Sequence, residues 1–394
     1  MKNVLLVGIY GVFNYGCEAI VRGTVNILKE IDPSIKVSYA SYNYKDDKRR
    51  LSDCDVTIIN RQFPRKWSFR NILEKCLLRV GIRCSAPFDT THWVGKFDAV
   101  FSIGGDIYTI WPNNGYNRKL PQFLEKCQKK GLKYILWGAS VGKFESNPEA
   151  LLFFKEHLRK IDLIVLREPE SKTYLKSLGI EQNVVMAPDP AFSVGEVCVP
   201  KKKGKLQTIG INLSPLSSGY KYNDYDSAIV AQADAVMRII DMLNVDVLFL
   251  PHVVKTHKLD DDYSYMLDIR NKLPESYQKR VSIIDDDPQF VGLKKDIDRC
   301  DFVIAARMHC AINAVTRGCP TLLLSYSEKA KGMAEFIYGN RNAVVNLNSF
   351  ENMECLKSTI EEWNQQILYD KITGFDYKSI FDENVSSIEG GNRR

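Results

Sequence analysis

Short apolar runs bounded by turn residues alternate along the chain with longer stretches of helical periodicity, the pattern of parallel βαβ construction. In the first half the runs predicted as strands are residues 4–10 (VLLVGIY), 36–41 (KVSYAS), 56–60 (VTIIN), 98–103 (DAVFSI), 134–139 (YILWGA), 163–167 (LIVLR) and 184–187 (VVMA). Helices fill the intervals, notably after Cys17, around Leu120 to Lys130 and from Pro169 to Leu178. Residues 196–206 lose this periodicity and collect lysines, as a linker does. A second series follows at 208–214, 246–252, 281–285, 301–307, 321–326 and 343–347. The helix between its fourth and fifth strands is short and stops at Gly318 and Pro320. The expected fold is α/β, with two doubly wound Rossmann-like domains facing a cleft, at residues 1–195 and 207–348. A barrel would need eight evenly spaced units. A C-terminal helix at 349–375 and a loose tail at 376–394 complete the expectation.

Composition agrees with two domains, because 394 residues exceed what one hydrophobic core usually supports. An apolar share of 45% and a charged share of 26% are those of a soluble globular protein. No window approaches the roughly 18–20 apolar residues of a membrane span, and the start, MKNVLLVGIYG, reads as a first strand. Ten cysteines without C-x-x-C pairs read as reduced thiols, so the expected location is cytoplasmic, with neither zinc nor a disulfide framework. The net charge of +6 is partly concentrated between Arg61 and Arg83, where basic residues alternate with Phe63, Trp67, Phe69 and Leu73. That segment reads either as a solvated face or as a peripheral contact with an anionic membrane or lipid-linked phosphate. No nucleic-acid module accompanies the charge, so nucleic acid is not an expected partner.

Open parallel sheets bind ligands beyond the carboxyl ends of their strands, and only those loops need be searched for chemistry. After the first strand they offer Asn14, Gly16 and Glu18; after the fourth, Gly104, Gly105 and Asp106; after the sixth, Arg167. The second series offers Asn212, Ser214, His252, Arg307, His309 and Lys329. The segment ARMHCAINA sets Arg307 at a strand end and His309 in the first turn of the next helix. Each residue taken singly reads as structural, but the pair at an anion-attracting helix start points to a site. GVFNYG is neither a dinucleotide fingerprint nor a phosphate loop, and no cluster has metal-ligand spacing, so no cofactor or metal is expected. The run DDDP at 285–288 reads as the cap of the following helix.

NYG-x-EA after the first strand, SIGGD, LREPES, PDPAF and above all ARMHCAINAVTRGCPTLLLSYSEKAKGM resemble the polysaccharide pyruvyl transferase family, whose R-x-H motif, G-x-P and Y-x-x-K they match. The resemblance spans Gly8 to Met333. It implies a GT-B-like fold and transfer of the enolpyruvyl unit of phosphoenolpyruvate to a saccharide acceptor as a ketal. It places phosphoenolpyruvate on the C-terminal domain and the acceptor on the N-terminal one. Carried over, the R-x-H pair falls on Arg307 and His309, the strand-end arginine on Arg167 and the Y-x-x-K lysine on Lys329. A donor with a carboxylate and a phosphate needs at least two cations, and protonation of its methylene carbon needs an acid, for which His309 is the candidate. Glu18 or Asp106 is the candidate base for the acceptor hydroxyl. A glycosyltransferase using a nucleotide-sugar donor and a non-catalytic binding protein of the same fold stay open as alternatives.

Overall fold

The computed structural model describes residues 1–61, 95–105, 107–110, 115–117, 120–199, 204–222, 224–254, 260–325, 328–347, 352–362 and 374–384, together with residues 72, 73, 76, 201, 350 and 372. Most of the basic Arg61–Arg83 segment lies outside these residues, as do Asp106, residues 111–114 and the end of the tail from 385.

Two all-parallel sheets carry the chain. The first comprises β1 (Asn3–Val7), β2 (Lys36–Ser41), β3 (Thr57–Asn60), β4 (Ala99–Ile103), β5 (Lys133–Ala139), β6 (Leu163–Leu166) and β7 (Val184–Met186), ordered β3-β2-β1-β4-β5-β6-β7. The second comprises β8 (Thr208–Asn212), β9 (Asp246–Phe249), β10 (Val281–Ile283), β11 (Phe302–Ala305), β12 (Thr321–Ser325) and β13 (Val344–Asn346), ordered β10-β9-β8-β11-β12-β13. β4 and β5 are buried along nearly their whole length, which explains why they read as continuous apolar runs rather than alternating ones. In each sheet the chain order reverses beside the first strand, between β1 and β4 and between β8 and β11. Helices diverge at such a reversal and leave a crevice at the strand ends.

The halves are joined by more than a linker. Asn14 forms an antiparallel bridge with Val253, and the Tyr15 amide donates to the His252 carbonyl at 2.8 Å. One apolar core contains Tyr15, Ala19 and Phe192 from the first half with Phe290, Ala311 and Met333 from the second. Arg50, fully buried, makes two parallel bonds to Asp287 across the junction, at 2.9 and 2.7 Å, and the Tyr15 hydroxyl donates to the same carboxylate at 2.7 Å. This corrects the reading of the acidic run: helix Gln289–Ile297 has no side-chain cap, and Asp287 serves as an interdomain clamp.

The chain end also departs from expectation. Helix Met353–Glu362 buries Leu356 and Ile360 on the second half. Residues Tyr377–Asn384, expected as tail, form a helix whose Tyr377, Ile380 and Phe381 pack on Phe101 and Trp137 of the first half. Their i, i+3, i+4 spacing makes one apolar stripe, a signal too short to stand out beside a polar terminus. Among the described residues no helix is long and apolar enough to cross a membrane.

Two expectations about stability follow. Asp287→Ala leaves the Arg50 guanidinium buried without its main partner and should cost about 3–5 kcal/mol in urea denaturation; a loss below about 1 kcal/mol would contradict the clamp. Lys294, buried with its ammonium 2.7 Å from the Thr316 hydroxyl, is pushed down to about 7 by burial, with Arg317 adding to the effect. An unfolded lysine keeps its proton to about pH 10.4, so between these values the unfolded chain binds more protons and stability rises with pH. Lys294→Met should flatten that rise in melting measurements from pH 7 to 10; an unchanged slope would exclude Lys294 as its source.

Candidate functional site

A cavity of about 720 Å³ opens at the reversal of the first sheet. Gly8, Gly11 and Asn14 after β1 and Gly104 and Gly105 after β4 form part of its lining, and Asp260 lines it from the second half. Asn14 caps helix Tyr15–Ile31, accepting from the amides of Gly16 and Cys17. That capping pins the loop between cavity and helix.

Beside this cavity the two halves build a single row of side chains. Asp189 follows β7 and caps the turn Pro190–Ser193 by accepting from the Ala191 amide at 2.9 Å. Its Oδ2 accepts from Nη1 of Arg167 at 2.7 Å and stands 3.5 Å from Nε2 of His309, an ion-pair distance. Arg167 also donates from Nε to the Ser140 hydroxyl at 2.9 Å. Burial alone would raise the Asp189 carboxyl, but His309, Arg167 and the Ala191 amide outweigh it and hold the group well below the usual carboxylate range. Asp189 has no exposed surface, while the His309 side chain keeps 16%.

Glycines close both ends of the row. A Cβ on Gly16 would overlap the His309 imidazole, and one on Gly105 would overlap the Arg167 guanidinium. A third glycine sets the depth of the row, because a Cβ on Gly23 would strike the Pro190 carbonyl where helix Tyr15–Ile31 meets the Asp189 turn.

Arg307 lies at the reversal of the second sheet. Its amide donates to Oδ1 of the buried Asn212 at 2.8 Å, which sets the start of helix Met308–Thr316. Its guanidinium bonds Asp262 at 2.8 Å and Asp260 at 2.6 Å. Asp262 is fully buried and also accepts from the amides of His252 and Val253 at 3.2 Å, whereas the Asp260 side chain keeps 41% exposure at the cavity.

Several expectations are corrected by this arrangement. Arg307 and Arg167 are not open cations: each is bound to buried carboxylate. Glu18 is no accessible base. It is fully buried, 2.8 Å from Arg22, and it accepts from the Phe290 amide at 3.1 Å. Asn212 braces Arg307 and the Leu250 carbonyl rather than facing a ligand. His252 is buried between Tyr15 and Phe290, and burial pushes its ring down to about 3, so it stays neutral. Ser214 is buried, and its carbonyl accepts from the Ser217 and Ser218 hydroxyls. Gly16 supports the His309 ring, while Gly104 and Gly105 do line the cavity. Lys329 lies in helix Glu328–Tyr338, with its side chain outside the described residues, as is Asp106 entirely. Asp189, Asp260 and Asp262 were absent from the expected set. For Asp189 the signal was available in PDPAF, an acid between two prolines directly after a strand.

The family model of the polysaccharide pyruvyl transferases matches residues 14–328. The chain belongs to that family. No curated protein matches it. Among solved structures it is similar to the proposed UDP-N-acetylglucosamine 2-epimerase of Listeria monocytogenes, with TM-score 0.60 and 13% identity over 100% of this chain and 98% of that one. It is also similar to HepE of Anabaena in complex with UDP and glucose, with TM-score 0.56 and 11% identity over 99% and 100%. The UDP-GlcNAc 2-epimerase of Neisseria meningitidis bound to UDP-GlcNAc gives TM-score 0.56 and 12% identity over 99% and 100%. At these identities the likeness concerns the fold, which is GT-B-like: two Rossmann-like units in one chain.

The row predicts an unusual glycine substitution. Gly16→Ala, which a helix otherwise favours by up to about 1 kcal/mol, should destabilise by about 1–3 kcal/mol in urea denaturation because the methyl group meets the imidazole. A stabilised variant would show that the ring is not seated there.

Proposed function

We propose that the protein transfers the pyruvyl unit of phosphoenolpyruvate to two hydroxyls of a saccharide, within a polysaccharide or its lipid- or nucleotide-linked precursor, as a ketal. The observation that supports this most is the His309 imidazole, brought from the second half against Gly16 and the buried Asp189 of the first, while Asn14 and Gly105, which adjoin that row, line a cavity of about 720 Å³.

Asp189 faces Nε2 of His309, so Nδ1, on the Gly16 side, is the atom assigned to deliver the proton. A carboxylate against one nitrogen orients the ring and stabilises the charge it carries as a donor. The proton goes to the methylene carbon of phosphoenolpyruvate and leaves a cationic C2. A sugar hydroxyl attacks C2, the bond from C2 to the phosphate oxygen breaks, and the second hydroxyl closes the ketal. Of the two hydroxyl protons released, one restores the histidine and the other leaves with phosphate. No further cofactor is needed.

The donor is strongly anionic and meets arginines that already have partners. Asp260 is the exposed member of the Arg307 cluster, and an oxyanion of phosphoenolpyruvate takes its place on the guanidinium while Asp262 remains. Arg167 acts through Asp189, and Lys329 is the second cation that the family motif supplies. Glu18 being committed to Arg22, the hydroxyl base is assigned to Asp106.

The test is mass spectrometry of lipid-linked and nucleotide-linked saccharides incubated with the protein and phosphoenolpyruvate, looking for the ketal increment with stoichiometric phosphate release. His309→Gln should still bind phosphoenolpyruvate and turn over at least about a hundredfold more slowly. Near-normal turnover in that variant removes His309 from the chemistry, and stabilisation by nucleoside diphosphates in place of phosphoenolpyruvate would favour glycosyl transfer.

A further inference from the structure

The cavity holds a cation that neither the Asp189 row nor the Arg307 cluster uses. Arg61 follows β3, the edge strand of the first sheet, and lines the cavity while staying partly exposed. Its amide donates to the Ser41 carbonyl at the end of β2, at 2.7 Å, which fixes its backbone at the strand ends. Its guanidinium carbon lies 4.9 Å from the centroid of Tyr42 and 5.4 Å from that of Phe123, on helix Leu120–Lys129.

The other arginines of this region are already neutralised. Arg22, Arg50, Arg167 and Arg307 each bond a carboxylate at 2.6–2.8 Å. Among the described residues the Arg61 guanidinium makes neither an ion pair nor a hydrogen bond. The two rings stabilise its charge without using its N–H donors. Asp260 is the carboxylate among the described lining residues, and Arg307 holds it. A cation that the fold keeps in a cavity without an anion is matched by an anion on the ligand.

We propose that Arg61 forms a phosphate subsite separate from the Arg307 cluster, and that the saccharide enters the cavity as a phosphate ester, a carrier-linked precursor rather than a finished polymer. A phosphate keeps a negative charge when esterified and offers the guanidinium fork two oxygens, neither of which a neutral glycan supplies. Arg61 comes from the first half and Arg307 with Asp260 from the second, so the site has a separate cation for each of two anionic substrates. That the phosphate ester is the acceptor rests on the transferase reading above, but the subsite itself is measured without turnover.

Isothermal titration of the full chain, without phosphoenolpyruvate, compares glucose 1-phosphate, inorganic phosphate and the neutral methyl glucoside. Glucose 1-phosphate should bind at least about tenfold tighter than methyl glucoside. It should also bind tighter than inorganic phosphate, which assigns the subsite to a saccharide phosphate; equal or weaker binding would assign it to free phosphate and overturn the acceptor class. Arg61→Gln, shown by its melting curve to be folded, should abolish the preference over methyl glucoside and leave the affinity for phosphoenolpyruvate, titrated separately, within about threefold. Arg61→Lys should keep part of the preference. No preference for the phosphate ester, a preference unchanged in Arg61→Gln, or an equal loss of phosphoenolpyruvate affinity overturns the proposal. Absence of ketal formation with the Arg61-dependent preference intact would instead count against the transferase reading alone.

Discussion

A carboxylate without access to water, set between a guanidinium and an imidazole, holds the site together. Asp189 belongs to the first half and His309 to the second, so this contact also joins the two halves. Removing a charge from water is costly, and the cost is offset here only because Arg167, His309 and the Ala191 amide converge on one group. The convergence depends on backbone room. Gly23 lets the turn carrying Asp189 press on helix Tyr15–Ile31, Gly16 lets the imidazole lie on the start of that helix, and Gly105 clears the guanidinium. A side chain at any of the three would push the row apart.

The same logic of neutralised charge extends around the cleft. Arg307 sits between Asp260 and Asp262, and Arg50 between Asp46 and Asp287. Among the described residues, these buried guanidinium groups are each neutralised by an internal carboxylate. Cations held by internal carboxylates are kept in position, and Asp260 is the exposed carboxylate of the Arg307 pair. Arg61 differs in that its guanidinium lies over the rings of Tyr42 and Phe123.

The strands were legible because a strand buried on both faces is a short apolar run, and the chain marks the ends of these runs with glycine, asparagine or a charged residue. Arg307, His309 and Arg167 were legible for the same reason, as polar residues at strand ends. Their partners were not. Asp189 is 22 residues from Arg167 and Asp262 is 45 from Arg307, and pairing at such distances leaves no local pattern. Glu18 was misread although the clue was local, because Arg22 lies four residues on, the spacing of a helical ion pair. The helix Tyr377–Asn384, expected as tail, was missed because three apolar residues in a polar terminus make a weak stripe.

The most direct test of the central contact is the kinetic behaviour of Asp189→Asn with phosphoenolpyruvate and an accepted saccharide, in protein whose melting curve shows it folded. Asparagine keeps the shape of the side chain and the cap on Ala191 but loses the charge facing His309. If that carboxylate orients the imidazole for proton transfer, kcat falls at least about tenfold while KM for phosphoenolpyruvate changes little. A folded variant that turns over at the rate of the unmodified protein would contradict the account.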